Sequence, residues 1–186
     1  MAESDLDRWL RFTGRRVLTN LGLRPGHRVA DLGCRNGRYL SPAAQIVGEE
    51  GRVYGVDMNA DALAGAHRLC TTQRLTNVTL IEADLRRRSP IRPGVIDMAL
   101  LFDVTHNAFF PDPGQRHRLF QRVRRLLKPN GRVALYPTHM IERGPRLQQI
   151  CREISQSGFR EVDRARRRML HNDRLVRGWV FVYQRR

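Results

Sequence analysis

The alternation of strand-like and helix-like segments constrains the fold of this chain more than any other feature of its sequence. Short apolar runs are followed by segments whose apolar residues recur at helical spacing. Such alternation is typical of α/β proteins with a mostly parallel sheet. The run Val95–Phe102 is nearly all apolar, as expected of a strand that is covered on both faces.

The pattern predicts elements along most of the chain. Helices are predicted over 3–22, Ala60–Thr72, Gln115–Leu127 and Arg146–Ser157. A further helix is predicted to begin after Gly37 and to end near Val47. The predicted strands are Arg28–Leu32, Val53–Asp57, Val78–Glu82, Val95–Phe102 and Arg132–Tyr136. The last two segments, Arg160–Leu170 and Leu175–Gln184, flank the turn His171-Asn172-Asp173 and predict an antiparallel hairpin.

Composition narrows the class of protein. A hydrophobic content of 41% favours a folded chain over a disordered one. No apolar run approaches the roughly 18 residues of a membrane helix, and the acidic start is unlike a signal peptide, so we expect no membrane insertion and a cytoplasmic protein. Cys34, Cys70 and Cys151 fit neither a disulfide framework nor a metal-ligand spacing, so we expect free thiols and no metal site.

The charge is unusual, with 34 basic and 18 acidic residues and a net charge of +16. Such an excess suits polyanionic partners, which leaves RNA open as a partner. A second explanation competes with it, because Lys128 is the single lysine among the basic residues. Arginine used to that extent also indicates GC-rich coding, which would place arginines on every solvated face.

The strongest chemical signal is a glycine-bearing turn between the first strand and the following helix. Gly33 and Gly37 let the backbone approach a ligand closely, and the helix N-terminus beyond them favours negative charge. Asp57 follows 20 residues after Gly37, where the next strand ends. An acid at that position can accept hydrogen bonds from both ribose hydroxyls of a nucleoside, so the combination predicts nucleoside-cofactor binding.

Four segments together are similar to a known enzyme family. Val29–Gly37 resembles motif I of class I S-adenosylmethionine methyltransferases, Gly51–Asp57 the second motif, Ile81–Asp84 the third, and Leu126–Arg132 the turn before strand five. The nearest types are the small ubiquinone/menaquinone and arsenite methylases. The resemblance implies a Rossmann-like three-layer sandwich, with a seven-stranded, mostly parallel sheet and an antiparallel strand from the C-terminal hairpin. It makes residues 1–186 a single methyltransferase domain, in which one interpretation of segment 1–22 is a lid.

The resemblance also implies S-adenosylmethionine as cofactor and a role for each matching residue. Asp31 would orient the methionine amino group, directly or through water, beside the Gly33 and Cys34 backbone. Asp57 would hold the ribose hydroxyls. The remaining expected contacts are Gly37 in the turn, Met58 against adenine, Asp84 on the adenine amino group, Leu85 on the other face of the ring, and Phe102 below the methionine arm.

Arg35 departs from the family pattern, because it replaces the middle glycine of motif I. If the position needs a positive φ, arginine there costs about 1 kcal/mol or more. A degenerate, non-catalytic domain that acts as a partner or RNA-binding subunit is therefore the main alternative. A nicotinamide-dependent oxidoreductase is disfavoured, since the turn is Gly-x-x-x-Gly rather than Gly-x-Gly-x-x-Gly.

Catalytic candidates follow strands four and five, whose carboxyl ends face the crevice where open α/β sheets bind ligands. His106 and Asp103 are the preferred pair, although a histidine at this position also serves as a cap, and His139 is a weaker candidate. A base is needed only if the acceptor loses a proton. We expect a small-molecule acceptor ahead of RNA, and the run Arg86-Arg87-Arg88 is placed to contact an anionic substrate.

Overall fold

A computed structural model of the chain describes residues 3–87, 89–106, 108–137 and 147–186. Its strands are β1 (Arg28–Leu32), β2 (Arg52–Asp57), β3 (Val78–Glu82), β4 (Ile96–Phe102), β5 (Leu127–Tyr136), β6 (Phe159–His171) and β7 (Arg174–Arg185). They form one seven-stranded sheet in the order β3-β2-β1-β4-β5-β7-β6. The pairs from β3 to β5 are parallel, and β7 is antiparallel to both β5 and β6. The predicted fold class is confirmed.

Helices lie between most of the strands. The opening helix α1 is α-helical over Asp5–Arg8, π-helical over Trp9–Thr13 and α-helical again over Gly14–Asn20. The others are α2 (Leu40–Val47), α3 (Ala60–Thr72), α4 (Pro113–Leu126) and α5 (Leu147–Gln156). Side-chain caps start two of them, since Asn59 accepts from the Ala62 amide and Asp112 from the Gln115 amide.

Two boundaries differ from the prediction for local reasons. Strand β5 begins at Leu127 rather than Arg132, because Leu127 already pairs with Ile96 before an irregularity in the ladder with β4. Helix α2 begins at Leu40, three residues beyond Gly37, because a turn separates it from the glycine. The terminal hairpin and helix α3 agree with the prediction to within one residue at each end.

A hydrophobic core covers each face of the sheet. One contains the fully buried Trp9, Leu18 and Leu40 from α1 and α2, and the other contains Phe120 and Ile154 from α4 and α5. Helix α1 is therefore part of a core, and its Asp5 carboxylate accepts a 3.0 Å hydrogen bond from the Leu175 amide at the start of β7. The interpretation of this helix as a lid stays a prediction.

None of the helices in the described ranges is both long and apolar enough to cross a bilayer.

Candidate active site

A cleft opens at the carboxyl edge of the sheet, where β1, β4 and β5 end beside the tip of the β6–β7 hairpin. Because β6 runs parallel to β5 across the intervening β7, the hairpin tip reaches the same edge as the ends of the central strands. The described residues that line the cleft are Asp31, Gly33, Cys34, Arg35, Asn36, Arg38, Tyr39, Phe102, Asp103, Tyr136, Leu170, His171, Asn172 and Asp173.

Asp31 is the most unusual acid in the cleft. It lies on β1 with only 3% of its surface exposed, and its Oδ2 atom is buried without a hydrogen-bond partner in the described part of the chain. Burial, helped by the nearby Asp57 carboxylate, raises the pKa of Asp31 to about 7. A buried polar atom with no partner costs stability, so this oxygen is suited to a ligand donor such as an ammonium group.

Asp57 is held in place by backbone amides on both sides. Its Oδ2 accepts a 2.8 Å hydrogen bond from the Arg35 amide and its Oδ1 a 3.0 Å hydrogen bond from the Asn59 amide. Each carboxylate oxygen has a second lone pair, which remains available to a ribose hydroxyl. The predicted ribose acid is therefore oriented by the same turn that contains the glycines.

The turn after β1 has a positive φ at the position of Arg35, which is the conformation that the sequence analysis considered for this residue. Arg35 has φ +46°, so the middle position of the motif does need a positive φ, and arginine occupies it. Gly33 has φ +87°, and a Cβ there would lie 2.6 Å from Val104 Cγ2. The turn thus brings bare backbone to the floor of the cleft, beside the Cys34 backbone and Asp31.

The residues expected around adenine are divided between two places. Met58 is 54% exposed, directly after Asp57, and is free to cover a flat ring at that edge. Asp84 and Leu85 lie outside the main cleft and line a second, smaller cavity with Leu32 and Val56. Arg86 binds both oxygens of Asp84, at 3.0 and 2.9 Å, and this hydrogen bonding lowers the pKa of Asp84. The adenine roles of these residues stay predictions.

Aromatic rings form one wall of the main cleft. Tyr39 and Phe102 have ring centroids 4.7 Å apart, and the Phe102 ring lies 6.2 Å from the Tyr136 ring. Gly178 leaves room for Tyr136, since a Cβ there would lie 2.5 Å from Tyr136 Cε2. The Tyr136 hydroxyl is buried and, among the described residues, has no hydrogen-bond partner, and its burial raises its pKa. Phe102 therefore lines the cleft, where its position below the methionine arm stays a prediction, and Tyr136 adds a polar atom.

The structure brings one predicted catalytic candidate to the cleft. Asp103 lies just past β4, and its Oδ2 is 3.5 Å from the Nδ1 atom of His171 at the end of β6. His106 is not among the described lining residues: its ring lies 4.6 Å from that of Phe109, and its Nδ1 accepts from the Ala108 amide. His139 lies outside the described residues. The catalytic role of the pair Asp103 and His106 stays a prediction.

Sequence reasoning did not single out Tyr39, Tyr136 or His171 as site residues. In the sequence analysis Tyr136 was only the last residue of the predicted fifth strand, and His171 was only a member of a hairpin turn. A signal for His171 did exist, because a hairpin strand that runs parallel to β5 must end at the same edge of the sheet. The sequence predicted the bounds of that strand to within one residue at each end, but not which neighbour it pairs with in the sheet.

The structure also places the cysteine of the glycine-bearing turn and two residues of the arginine run. The Cys34 thiol is buried, which raises its pKa, so it is not a nucleophile. Arg86 pairs with Asp84, and Arg87 lines the smaller cavity. Across the described ranges, no three His, Cys, Asp or Glu residues cluster as metal ligands would.

Fold and site together define an α/β protein of the Rossmann-like class, with a candidate ligand cleft at the carboxyl edge of its sheet. The profile of the family described as "Methyltransferase domain" matches residues 23–166, and the chain belongs to this family. The resemblance of its motifs to class I S-adenosylmethionine methyltransferases is confirmed. S-adenosylmethionine is the methyl donor of that class, as the motifs implied.

Relatives with curated functions match the chain over part of their length. It is 29% identical over 121 residues to a probable cobalt-precorrin-6B C(15)-methyltransferase of Thermoplasma acidophilum, with 63% of this chain and 54% of the relative covered. It is 31% identical over 126 residues to the ubiquinone/menaquinone C-methyltransferase UbiE of Vibrio vulnificus, with 67% and 45% covered. The matched region thus spans about half the length of these relatives.

Solved structures share the fold. A SAM-dependent methyltransferase from Aquifex aeolicus superimposes with a TM-score of 0.71 at 21% identity, covering 95% of this chain and 91% of that one. A geranyl diphosphate C-methyltransferase from Streptomyces coelicolor superimposes with a TM-score of 0.74 at 14% identity, covering 93% and 79%. At these identities the likeness concerns the fold alone.

Proposed function

We propose that this chain is an S-adenosylmethionine-dependent methyltransferase that acts on a small-molecule acceptor. The observation that supports this best is Asp31, a buried carboxyl group on the floor of the cleft, whose Oδ2 has no hydrogen-bond partner among the described residues. Such an oxygen fits the amino group of the cofactor, and it lies beside the backbone of Gly33 and Cys34. Family membership provides the reaction class.

The residues of the chain fit the expected groups of the cofactor. Asp31 would bind the methionine ammonium group, and Asp57, held by two backbone amides, would bind the ribose hydroxyls. Met58 would cover the adenine ring and Phe102 would lie below the methionine arm. When bound, the cofactor supplies a methyl group on a sulfonium, so much of the acceleration comes from positioning and from the exclusion of water.

The acceptor is proposed to be a small molecule because the hairpin tip lies over the cleft and narrows it. Arg38 Nε and Nη2 bind the Asp173 carboxylate at 3.0 and 3.3 Å, and Tyr39 Oη donates to the Leu170 carbonyl at 2.8 Å. The curated relatives named above are methyltransferases of precorrin and quinone type, which agrees with this choice. A match to a ribosomal RNA large subunit methyltransferase of Desulfatibacillum aliphaticivorans covers 36 residues, 19% of this chain, which is too short to favour an RNA acceptor.

Calorimetric titration with S-adenosylhomocysteine tests the cofactor site. We expect saturable binding to the wild-type protein and its loss in Asp57→Ala, because this variant removes the ribose acceptor and releases the Arg35 amide. Glu49→Gln is the matched control, since Glu49 is an exposed carboxylate in the turn before β2, at the opposite end of that strand. An absence of binding to folded wild-type protein would contradict the proposal.

A methyl-transfer assay then tests the acceptor class. Purified protein and S-adenosylmethionine with a radiolabelled methyl group are incubated with pools of small phenols, quinols and amines, or with total RNA. We expect label in a small-molecule product and none in RNA. Label found in RNA, and lost in Asp57→Ala, would instead establish an RNA acceptor.

A further inference from the structure

We propose that the cleft contains a general base, His171 positioned by Asp103, and that the acceptor therefore presents a hydroxyl group to the methyl donor. This inference rests on the proposed function and specifies the substrate class for the same site. It comes from the geometry of the hairpin tip, which the motifs of the family do not include.

Position is the first argument. His171 ends β6 and Asp103 follows β4, and both side chains line the cleft that contains the cofactor acid Asp31. Both side chains are 21% exposed, so each is partly shielded from water and still accessible to a ligand. A base within reach of both the acceptor and solvent can take up a proton and later release it.

The tautomer of the imidazole is the second argument. Asp103 Oδ2 lies 3.5 Å from Nδ1, so its negative charge favours a proton on that nitrogen. Asn172 Nδ2, an amide donor, lies 3.1 Å from Nε2, which favours a lone pair on that nitrogen. The two neighbours agree on the tautomer, because in neutral His171 both favour a proton on Nδ1 and a lone pair on Nε2.

Rigidity of the hairpin tip is the third argument. The Arg38–Asp173 ion pair and the hydrogen bond from Tyr39 to the Leu170 carbonyl hold the residues on both sides of His171. The Trp9 Nε1 atom in turn donates to the Arg38 carbonyl at 2.8 Å. Contacts of this kind fix the backbone of a catalytic side chain, as an efficient base requires.

Tyr136 completes the subsite. Its buried hydroxyl has no hydrogen-bond partner in the described part of the chain and lines the same cleft, and the Asp103 amide donates to the Tyr136 carbonyl at 2.8 Å. Burial and the Asp103 carboxylate raise the pKa of Tyr136, so the phenol remains protonated and able to donate. It would stabilise the oxygen on which negative charge develops as the acceptor loses its proton.

The proposed step balances as follows. The acceptor hydroxyl takes the place of the Asn172 amide at His171 Nε2. The acceptor oxygen then forms a bond to the methyl carbon while its O–H bond breaks, and the proton goes to His171 Nε2. The electron pair of the broken carbon–sulfur bond stays on sulfur, which becomes neutral. The products are a methyl ether, S-adenosylhomocysteine and an imidazolium that returns its proton to solvent.

Nitrogen NMR of the histidine side chains tests the tautomer without any turnover. In protein saturated with S-adenosylhomocysteine, we expect the Nε2 resonance of neutral His171, assigned with His171→Gln, at the position of an unprotonated nitrogen. Asp103→Gly removes the carboxylate at a residue with φ +61°, which glycine tolerates, and should move the proton toward Nε2. A wild-type His171 with its proton on Nε2 would overturn the proposal.

A coloured phenol tests the base itself. 4-Nitrophenol is added to the same complex at a pH below its own pKa, and its anion is followed by absorbance. We expect phenolate to form on binding to this complex, and methylation of the probe in a separate reaction in which S-adenosylmethionine replaces S-adenosylhomocysteine. His171→Gln should abolish the phenolate signal and slow methylation about 100-fold or more. The control His67→Gln, on the exposed face of α3, should change neither.

The outcomes separate this inference from the proposed function. Loss of the signal in His106→Gln rather than in His171→Gln would assign the base to the histidine predicted from the sequence and overturn the proposal. Failure of the probe to bind or ionise, in a protein that binds S-adenosylhomocysteine normally, would also overturn it and leave the cofactor site intact. Only failure of S-adenosylhomocysteine to bind counts against the proposed function.

Discussion

The Arg35 amide donates a 2.8 Å hydrogen bond to Asp57 Oδ2 and thereby ties the turn after β1 to the end of β2. The bond joins Arg35, which departs from the motif, to Asp57, which the motif predicts as the ribose-binding acid. Because the donor is a backbone amide, the contact is independent of the side chain at position 35. The family pattern can therefore lose its middle glycine and still orient Asp57, the predicted ribose acid.

Arg35 is expected to strain the backbone without contributing to this bond. Arg35→Gly should be more stable than Arg35→Ala by about 1 kcal/mol, because only glycine adopts φ +46° without steric cost. Urea denaturation of the two variants measures the difference in their free energies of unfolding. Both variants lack the Arg35 guanidinium, so the effect of its loss cancels in this difference. Equal stabilities would show that the turn relaxes to a negative φ.

Asp31 should make cofactor binding depend on pH. In the free protein its pKa of about 7 means that the carboxyl group is largely protonated below neutrality, whereas binding an ammonium group requires the carboxylate. The affinity for S-adenosylhomocysteine should therefore rise about tenfold per pH unit up to about pH 7 and then level off. Calorimetry across this range measures it, and Asp31→Asn should bind weakly with no such slope.

The same carboxyl group should affect stability in the opposite direction. The free folded protein keeps a proton that the unfolded chain, with an ordinary Asp pKa of 3.8, has already released. The free energy of unfolding should therefore fall as the pH rises from about 4 to about 7. Asp31→Asn should remove this fall and melt at a higher temperature than wild type at pH 8, as differential scanning calorimetry can determine. A lower melting temperature would mean that the charged form is stabilised.

Two tyrosines of the cleft should respond differently to loss of the hydroxyl. Tyr136→Phe removes a buried hydroxyl without a partner in the described structure, so the ligand-free protein should be as stable as wild type or up to about 1 kcal/mol more stable. Tyr39→Phe removes the 2.8 Å hydrogen bond to the Leu170 carbonyl and should cost about 1 kcal/mol. Urea denaturation checks both, and a clear loss of stability in Tyr136→Phe would reveal a partner for its hydroxyl.

The buried ion pair between α4 and α5 should be sensitive to the loss of one partner. Arg116 is 1% exposed, and its Nε and Nη2 bind the Glu153 carboxylate at 2.7 and 2.9 Å. Glu153→Ala removes the carboxylate that binds two nitrogens of this buried guanidinium and should cost about 3–5 kcal/mol in denaturant unfolding. Glu3→Gln, in the exposed pair with Arg11, should cost less than about 1 kcal/mol. Similar costs for the two variants would contradict this account.

The sequence could place the residues predicted to bind the cofactor at one edge of the sheet, because their signals are local in the sequence. Gly33, Asp31 and Asp57 each lie at the end of a strand with a clear apolar pattern, and parallel strands bring their carboxyl ends to one edge. Glycine and carboxylate have few alternatives at such positions, since backbone conformation and hydrogen bonding both restrict the choice. The position of Asp84 was less certain, because its carboxylate binds Arg86 in a loop that follows β3.

The sequence by itself determined the order of strands and helices, the glycine-bearing turn and the acids beside it, because each depends on residues close together in the chain. Only the tertiary structure decided which residues face those acids across the cleft. His171 lies 68 residues after Asp103, and the two meet because β6 is long and reaches the same edge of the sheet as β4. The Tyr136 ring fits in the cleft wall because Gly178 of β7 has no side chain that would collide with it. Such contacts depend on strand length and register across the whole sheet, which no short segment of sequence specifies.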